Sequence, residues 1–206
     1  MSKRNRRKFS DIIRRKQNIR NFRKRLCIFC EGITEANYFR YLARRNGVFV
    51  YIKSLGEGPK AIIKEILKKK SSSVNEFDEF WVVFDKDNVS YNNFNSAIFE
   101  ANSHNINVAY SIPCFELWLL LHFKLVERNL SKNGVYKMLD YEFNQFFGKR
   151  YEKNTPQIGE LLFDKISIAI KNGTYLDNLW KDKKFASHNP STTAYGLVLS
   201  IFSHTT

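Results

Sequence analysis

Long apolar runs are missing from this chain. A membrane-spanning helix needs roughly 18 consecutive apolar residues, and stretches such as Leu117 to Leu121 fall far short of that. No membrane association is expected. Cysteine is scarce as well: Cys27, Cys30 and Cys114 cannot all pair, and each lies in an apolar stretch rather than a loop. That usage argues for a reducing compartment over a disulfide framework. No secretory signal is visible, so the expected location is the cytoplasm. A Walker A pattern is also missing, so any ATP hydrolysis linked to this protein must come from another chain. No internal repeat occurs.

Acids are nearly missing from the first 25 residues. That arm holds twelve Lys/Arg against Asp11, a local net of +11 out of the chain's +14, leaving +3 for the other 181 residues. Such a basic arm, with Arg4, Arg6, Arg7, Arg14, Arg15 and Arg20, is the electrostatic footprint of phosphate contacts, and nucleic acid is the expected partner. A solvated tail that only aids solubility fits the same charge run. A mitochondrial targeting peptide fits less well, because the arm leads into the first strand without a cleavage-like spacer.

What remains is ample for a core: 43% apolar residues, including eighteen Phe and ten Tyr, in a chain of 206. One α/β domain is expected. Leu26 to Cys30 reads as a buried strand, Gly32 as a turn, and Thr34 as the cap of a helix from Glu35 to about Asn46. Val48 to Lys53 is a second strand, and Gly56-Glu57-Gly58-Pro59 is a loop flanked by Lys53 and Lys60. A helix from Lys60 to Lys70 follows. Phe80 to Phe84, a helix from Phe94 to His104, and Ile106 to Tyr110 complete four alternations, which predict a mostly parallel sheet with helices on both faces. Beyond Pro113 the pattern turns helical: Phe115 to Phe123, then segments near Gly134 to Asp140, Gly159 to Ile170 and Thr192 to Phe202. Gly173 reads as a C-cap and Ser191 as the N-cap of the last helix.

The most informative stretch is Phe80-Trp81-Val82-Val83-Phe84-Asp85-Lys86-Asp87, an apolar run ending in two acids. It reads as a strand buried on both faces with its carboxylates at the C-terminal end. Side chains at i and i+2 of extended backbone point the same way, so Asp85 and Asp87 can aim at one object while Lys86 points elsewhere. Carboxylates so close repel unless a proton or a metal lies between them, and Mg²⁺, with Mn²⁺ as a substitute, suits them. Glu31 ends the first strand as Asp85 ends the third, at the edge where parallel sheets bind ligands. If those strands are neighbours, three acids converge to hold one or two ions for phosphodiester cleavage.

These residues carry a resemblance. Phe29-Cys30-Glu31-Gly32-Ile33-Thr34-Glu35-Ala36-Asn37-Tyr38-Phe39, Val82-Val83-Phe84-Asp85-Lys86-Asp87, Ser111-Ile112-Pro113-Cys114-Phe115-Glu116-Leu117-Trp118-Leu119-Leu120-Leu121-His122-Phe123 and Asn189-Pro190-Ser191-Thr192-Thr193 resemble the RloB family, from about Leu26 to the C-terminus. RloB-like proteins are similar to Toprim-domain nucleases. The resemblance implies a Toprim-like parallel α/β core over 26–125, a helical extension over 126–206 packed on it, and Glu31, Asp85 and Asp87 as the Mg²⁺ triad. It also implies a nuclease acting on DNA or RNA as effector of a prokaryotic phage-defence (abortive infection) system, beside an ABC-type ATPase encoded nearby.

Each signal has a plainer counterpart. Asp-x-Asp alone is also a turn with two solvated acids, and Phe84-Asp85-Lys86-Asp87-Asn88-Val89 resembles the nucleophile motif of haloacid-dehalogenase-type phosphatases as well. No later acidic cluster follows residue 110, as those enzymes need. A module that binds nucleic acid through the arm and docks an ATPase without catalysis is another reading. Glu35 fits a helix N-terminus as well as a second carboxylate shell. Glu116, a charge inside the run Cys114 to Leu121, needs a role or a partner, either in the metal shell or in an ion pair with an arm arginine. His122 is a candidate base, with a hydrogen-bonded core histidine as its plainer reading. Cys27 and Cys30, at i and i+3 of a strand, face opposite ways and read as packing residues.

Overall fold

The apolar run Phe80 to Phe84 becomes the middle of a sheet. In the computed structural model the described residues are 24–203 apart from 88, 181 and 183. The candidate phosphate contacts Arg4, Arg6, Arg7, Arg14, Arg15 and Arg20 lie outside them. Strand β3 (Glu79–Asp85) pairs with β1 (Arg25–Cys30) on one side and β4 (Asn107–Ile112) on the other. Outside them lie β2 (Phe49–Ser54) and β5 (Ser191–Thr192), giving the order β2-β1-β3-β4-β5. β1 to β4 run parallel, and β5 is antiparallel to β4. The fold is α/β, as the alternation predicts, and β1 and β3 are neighbours.

Period-two alternation assigns the strand residues to two cores. Cys27, Phe29, Val82, Phe84, Tyr110 and Ile112 pack with helices α2 (Pro59–Ser72) and α3 (Tyr91–Ser103). Leu26, Ile28, Cys30, Trp81, Val83 and Ala109 pack on the other face with α1 (Ile33–Arg45). Cys27 and Cys30 therefore fall in different cores. The second face is completed by α4 (Glu116–Leu120), α5 (Lys132–Phe147), α6 (Ile158–Leu162), α7 (Ile166–Asn178) and α8 (Ala194–Phe202). Among the described residues no helix is long and apolar enough to cross a membrane.

Local expectations fail where a distant partner outbids the local cap. Thr34 is not an N-cap: α1 starts at Ile33 behind Gly32, and the Thr34 hydroxyl accepts the Asn154 N–H at 3.0 Å. Ser191 is not one either, because the β4 edge draws it into β5, and α8 begins only at Ala194. Gly173 is no C-cap; it lies inside α7, where a Cβ would come within 3.0 Å of the Trp118 ring. Glycines with positive φ end helices elsewhere, Gly47 at 66° just past α1 and Gly148 at 65° after α5. Expected helices change length too. Regular helix in the run Phe115 to Phe123 spans only Glu116–Leu120, and Gly159 to Ile170 breaks at a 3₁₀ turn, Phe163–Lys165. Residues buried all round carry no amphipathic stripe from which a helix end can be read.

His122 sits at the centre of the second core, fully buried. Burial pushes its pKa down to about 4, so the ring is neutral at neutral pH. Nδ1 lies 3.0 Å from the Trp118 carbonyl, which only accepts, so that nitrogen carries the proton. Nε2 then accepts from the Tyr38 hydroxyl at 3.0 Å. His122 is thus a satisfied core histidine, away from solvent. Tyr38→Phe leaves Nε2 buried without a donor and is expected to cost about 1–3 kcal/mol. In a chain of this size that lowers the melting temperature by roughly 2–4 °C per kcal/mol. Thermal denaturation checks it; an unchanged Tm refutes the bond.

Candidate active site

Parallel strands end together, and the acids gather where they end. Glu31 follows β1, with its N–H bonded to the Val83 carbonyl at 2.9 Å and its own carbonyl accepting from Gly56 N–H at 2.8 Å. Asp85 closes β3, and its N–H donates to Glu31 Oε2 at 3.3 Å. Glu116 opens α4 just beyond β4, and Glu35 lies in the first turn of α1. Gly32 makes room for that arrangement: any side chain there would strike the Glu35 carboxylate, which folds back over it.

Burial and mutual repulsion set the protonation of this group. Burial pushes the Asp85 carboxyl well above its ordinary value, with Glu35, Glu116 and Glu31 adding to the rise and the Phe115 N–H opposing it. Glu35 is 5% exposed, and burial followed by the charges of Glu116 and Glu31 pushes it up to about 7. Glu31 is raised by burial and by Asp87, against the Asp85 N–H, Lys132 and Lys153. Glu116, 2% exposed, accepts from the Tyr136 hydroxyl at 2.6 Å and the Tyr151 hydroxyl at 3.1 Å, with Lys153 Nζ at 4.0 Å. Both phenols are raised in turn, first by burial.

Asp87 departs from expectation. β3 stops at Asp85, and Asp87 sits in a turn with φ of 24°, so the i, i+2 alignment of extended backbone does not hold. Its N–H bonds to the Pro113 carbonyl at 3.0 Å and its Oδ2 pairs with Lys132 Nζ at 2.5 Å. Asp87 still acts electrostatically on Glu31. Lys86 does point elsewhere, to the Val89 carbonyl and over the Tyr91 ring. The partners of Glu116 among the described residues are two tyrosines and Lys153. Those residues, with Lys132, escape sequence reasoning, because no local pattern ties them to an acid 16 or more positions earlier in the chain. Glu35 carried a weak signal, four residues after Glu31.

Among the described residues no group of three or more His, Cys, Asp or Glu side chains forms a ready-made metal cage. Mg²⁺ rarely uses one; it is held through one or two carboxylates and completes its shell with water and substrate phosphate. The donor set here fits that mode. Asp85 Oδ1 is sealed from solvent and has no hydrogen-bond partner, while the N–H of the same residue holds the carboxylate of Glu31, just past the neighbouring strand. Buried oxygens of this kind are normally satisfied.

A family model described as RloB-like protein matches residues 26–201. No curated protein and no solved structure matches.

The raised carboxyls make stability depend on pH. Folded Glu35 keeps its proton up to about 7, whereas the unfolded chain releases it near 4.5. Between those values the folded state binds more protons, so stability falls as pH rises through the window and levels off above it. In metal-free buffer the melting temperature is expected to drop from about pH 5 to about pH 8, and Glu35→Gln to flatten much of that drop. An identical slope in the variant refutes the burial of Glu35 among acids.

Proposed function

This chain belongs to the RloB-like family, and from that membership and the acidic edge we propose that it is a Mg²⁺-dependent nuclease of Toprim type. The observation that carries the reading is the partnerless Oδ1 of Asp85, a residue whose backbone N–H holds the Glu31 carboxylate, at the sheet edge where α/β folds bind ligands. Glu31 and Asp85 would hold the ion, with Asp87 close enough to act on Glu31. Bound there, Mg²⁺ supplies charge neutralisation at phosphate and activation of water.

The chain's own residues prepare that site. The Asp85 N–H orients Glu31, and the Phe115 N–H favours the ionised form of Asp85. Tyr136 and Tyr151 clamp Glu116 so that its charge faces the same space. Outer hydrogen bonds of this kind typically change metal affinity about 10–100-fold when removed. Lys132 and Lys153 bring positive charge to the rim, where an incoming phosphodiester is anionic. In this reading the substrate is DNA or RNA, and the basic arm adds affinity without sequence preference. An ABC-type ATPase partner and a role in phage defence belong to the same proposal, resting on the family resemblance.

Calorimetric titration of Mn²⁺ or Mg²⁺ into the purified chain is the first test. Binding by the wild type, lost in both Glu31→Ala and Asp85→Ala, is expected. Cleavage of single-stranded DNA or RNA is expected to vanish in Asp85→Ala as well. Wild-type levels of cutting by that variant, or no metal binding by the wild type at millimolar concentrations, overturns the proposal.

A further inference from the structure

The segment after α5 forms a cleft beside the acids. Gly148, with φ of 65°, ends the helix and turns the chain back. Four bonds then pin the returning segment. Tyr151 N–H donates to Asp140 Oδ1 at 3.1 Å, and the Tyr151 hydroxyl reaches Glu116. Asn154 N–H donates to Thr34 Oγ1 at 3.0 Å, and Asn37 Nδ2 to the Asn154 carbonyl at 3.1 Å. With Tyr151 turned inward, Lys149, Arg150 and Lys153 are left on the outside.

These three cations and Glu152 line a cleft of about 270 Å³ together with Asn154 and Gln157, over a floor that includes Phe143. Its lining therefore carries an excess of positive charge. Lys153 ties the cleft to the acids, its Nζ 4.0 Å from Glu116 Oε1. Lys149 and Arg150 have no ion-pair or hydrogen-bond partner among the described residues. The dipole at the end of α5 accounts for a cation in its last turn, and its influence fades within that turn. It gives no reason for three cations around one concavity on a backbone fastened to α1. The volume lies just below that of typical small-molecule pockets, which suits a fragment such as one phosphate with its sugar.

We infer that this cleft receives a backbone phosphate of a nucleic-acid strand, next to the phosphate that lies at the carboxylates. The inference rests on the nuclease reading for the identity of the anion. Arg150 offers a planar fork for two phosphate oxygens, and Lys149 and Lys153 act as point charges. Because hydrogen bonds hold the loop in place, little ordering entropy is lost when the strand arrives.

The test measures binding in EDTA, where metal chemistry is off, by anisotropy of a short labelled single-stranded oligonucleotide across a salt series with the full chain. The paired variant Lys149→Gln/Arg150→Gln changes exposed side chains and is expected to melt as wild type does. Each lost phosphate contact lowers the slope of log affinity against log salt by about 0.7 on a single strand, so for the one phosphate in the cleft a fall of up to roughly 0.7 is expected. Lys64→Gln/Lys68→Gln, on exposed positions of α2, removes equal charge on the other face and is expected to leave the slope nearly unchanged. An equal fall in both pairs means bulk charge alone and overturns the inference, as does an unchanged slope in the cleft variant. Cleavage in Mg²⁺ by wild type and by the cleft variant separates the two readings. If the cleft variant binds and cuts normally, the cleft inference falls and the nuclease reading stands. If the slope falls as expected while wild type never cuts, the cleft stands and the nuclease reading falls.

Discussion

Carboxylates crowded into a partly buried edge are the constraint on which this structure turns. Burial raises the proton affinity of Glu31, Glu35 and Asp85, and the charges of neighbouring acids add to it. Each pKa unit of such a shift represents about 1.4 kcal/mol against the charged form. Nothing in a hydrophobic core requires that expense. Much of what surrounds the edge compensates it: backbone N–H groups from Asp85 and Phe115, hydroxyls from Tyr136 and Tyr151, and ammonium groups from Lys132 and Lys153. Asp85 Oδ1 is the one acidic oxygen among the buried, partnerless side-chain atoms of the described residues. That imbalance is what a cation would relieve.

Parallel topology makes the crowding possible. Because β1 and β3 are hydrogen-bonded neighbours running the same way, residues just past their ends are brought side by side from positions more than 50 apart. β4 delivers Glu116 to the same edge through the turn before α4. The C-terminal segments then close over it: α5 supplies Lys132 and Tyr136, and the loop behind Gly148 supplies Tyr151 and Lys153. The same helices bury the second sheet face, so the elements that complete the core also complete the acidic site.

Legibility in the sequence followed the range of the interactions. The run Phe80 to Phe84 declared a strand buried on both faces, and alternation with helices declared a parallel sheet, because burial periodicity is local and additive. Caps were read less well. Thr34 and Ser191 each have the right chemistry for an N-cap, yet a distant N–H and a strand edge respectively claim them. Gly173 looks like a terminator until Trp118 is placed against it. His122 was ambiguous in sequence, and only its two hydrogen bonds identify it as a core residue.

The same division runs through the site. Glu31 and Asp85 were marked by position alone, each an acid at the end of an apolar strand, and the neighbouring of those strands bore out their convergence. Asp87 was marked too, but a turn with positive φ and Lys132 place it differently from an extended backbone. Glu35 was marked only weakly, with a helix N-terminus as its plainer reading, and Tyr136, Tyr151 and Lys153 entered only with the tertiary structure. Sequence by itself determined the fold class and which residues are acids at strand ends, since apolar periodicity and residue chemistry are properties of the chain. Tertiary structure decided which charges face one another and which oxygen is left without a donor, since electrostatics and burial depend on distances the chain order does not contain.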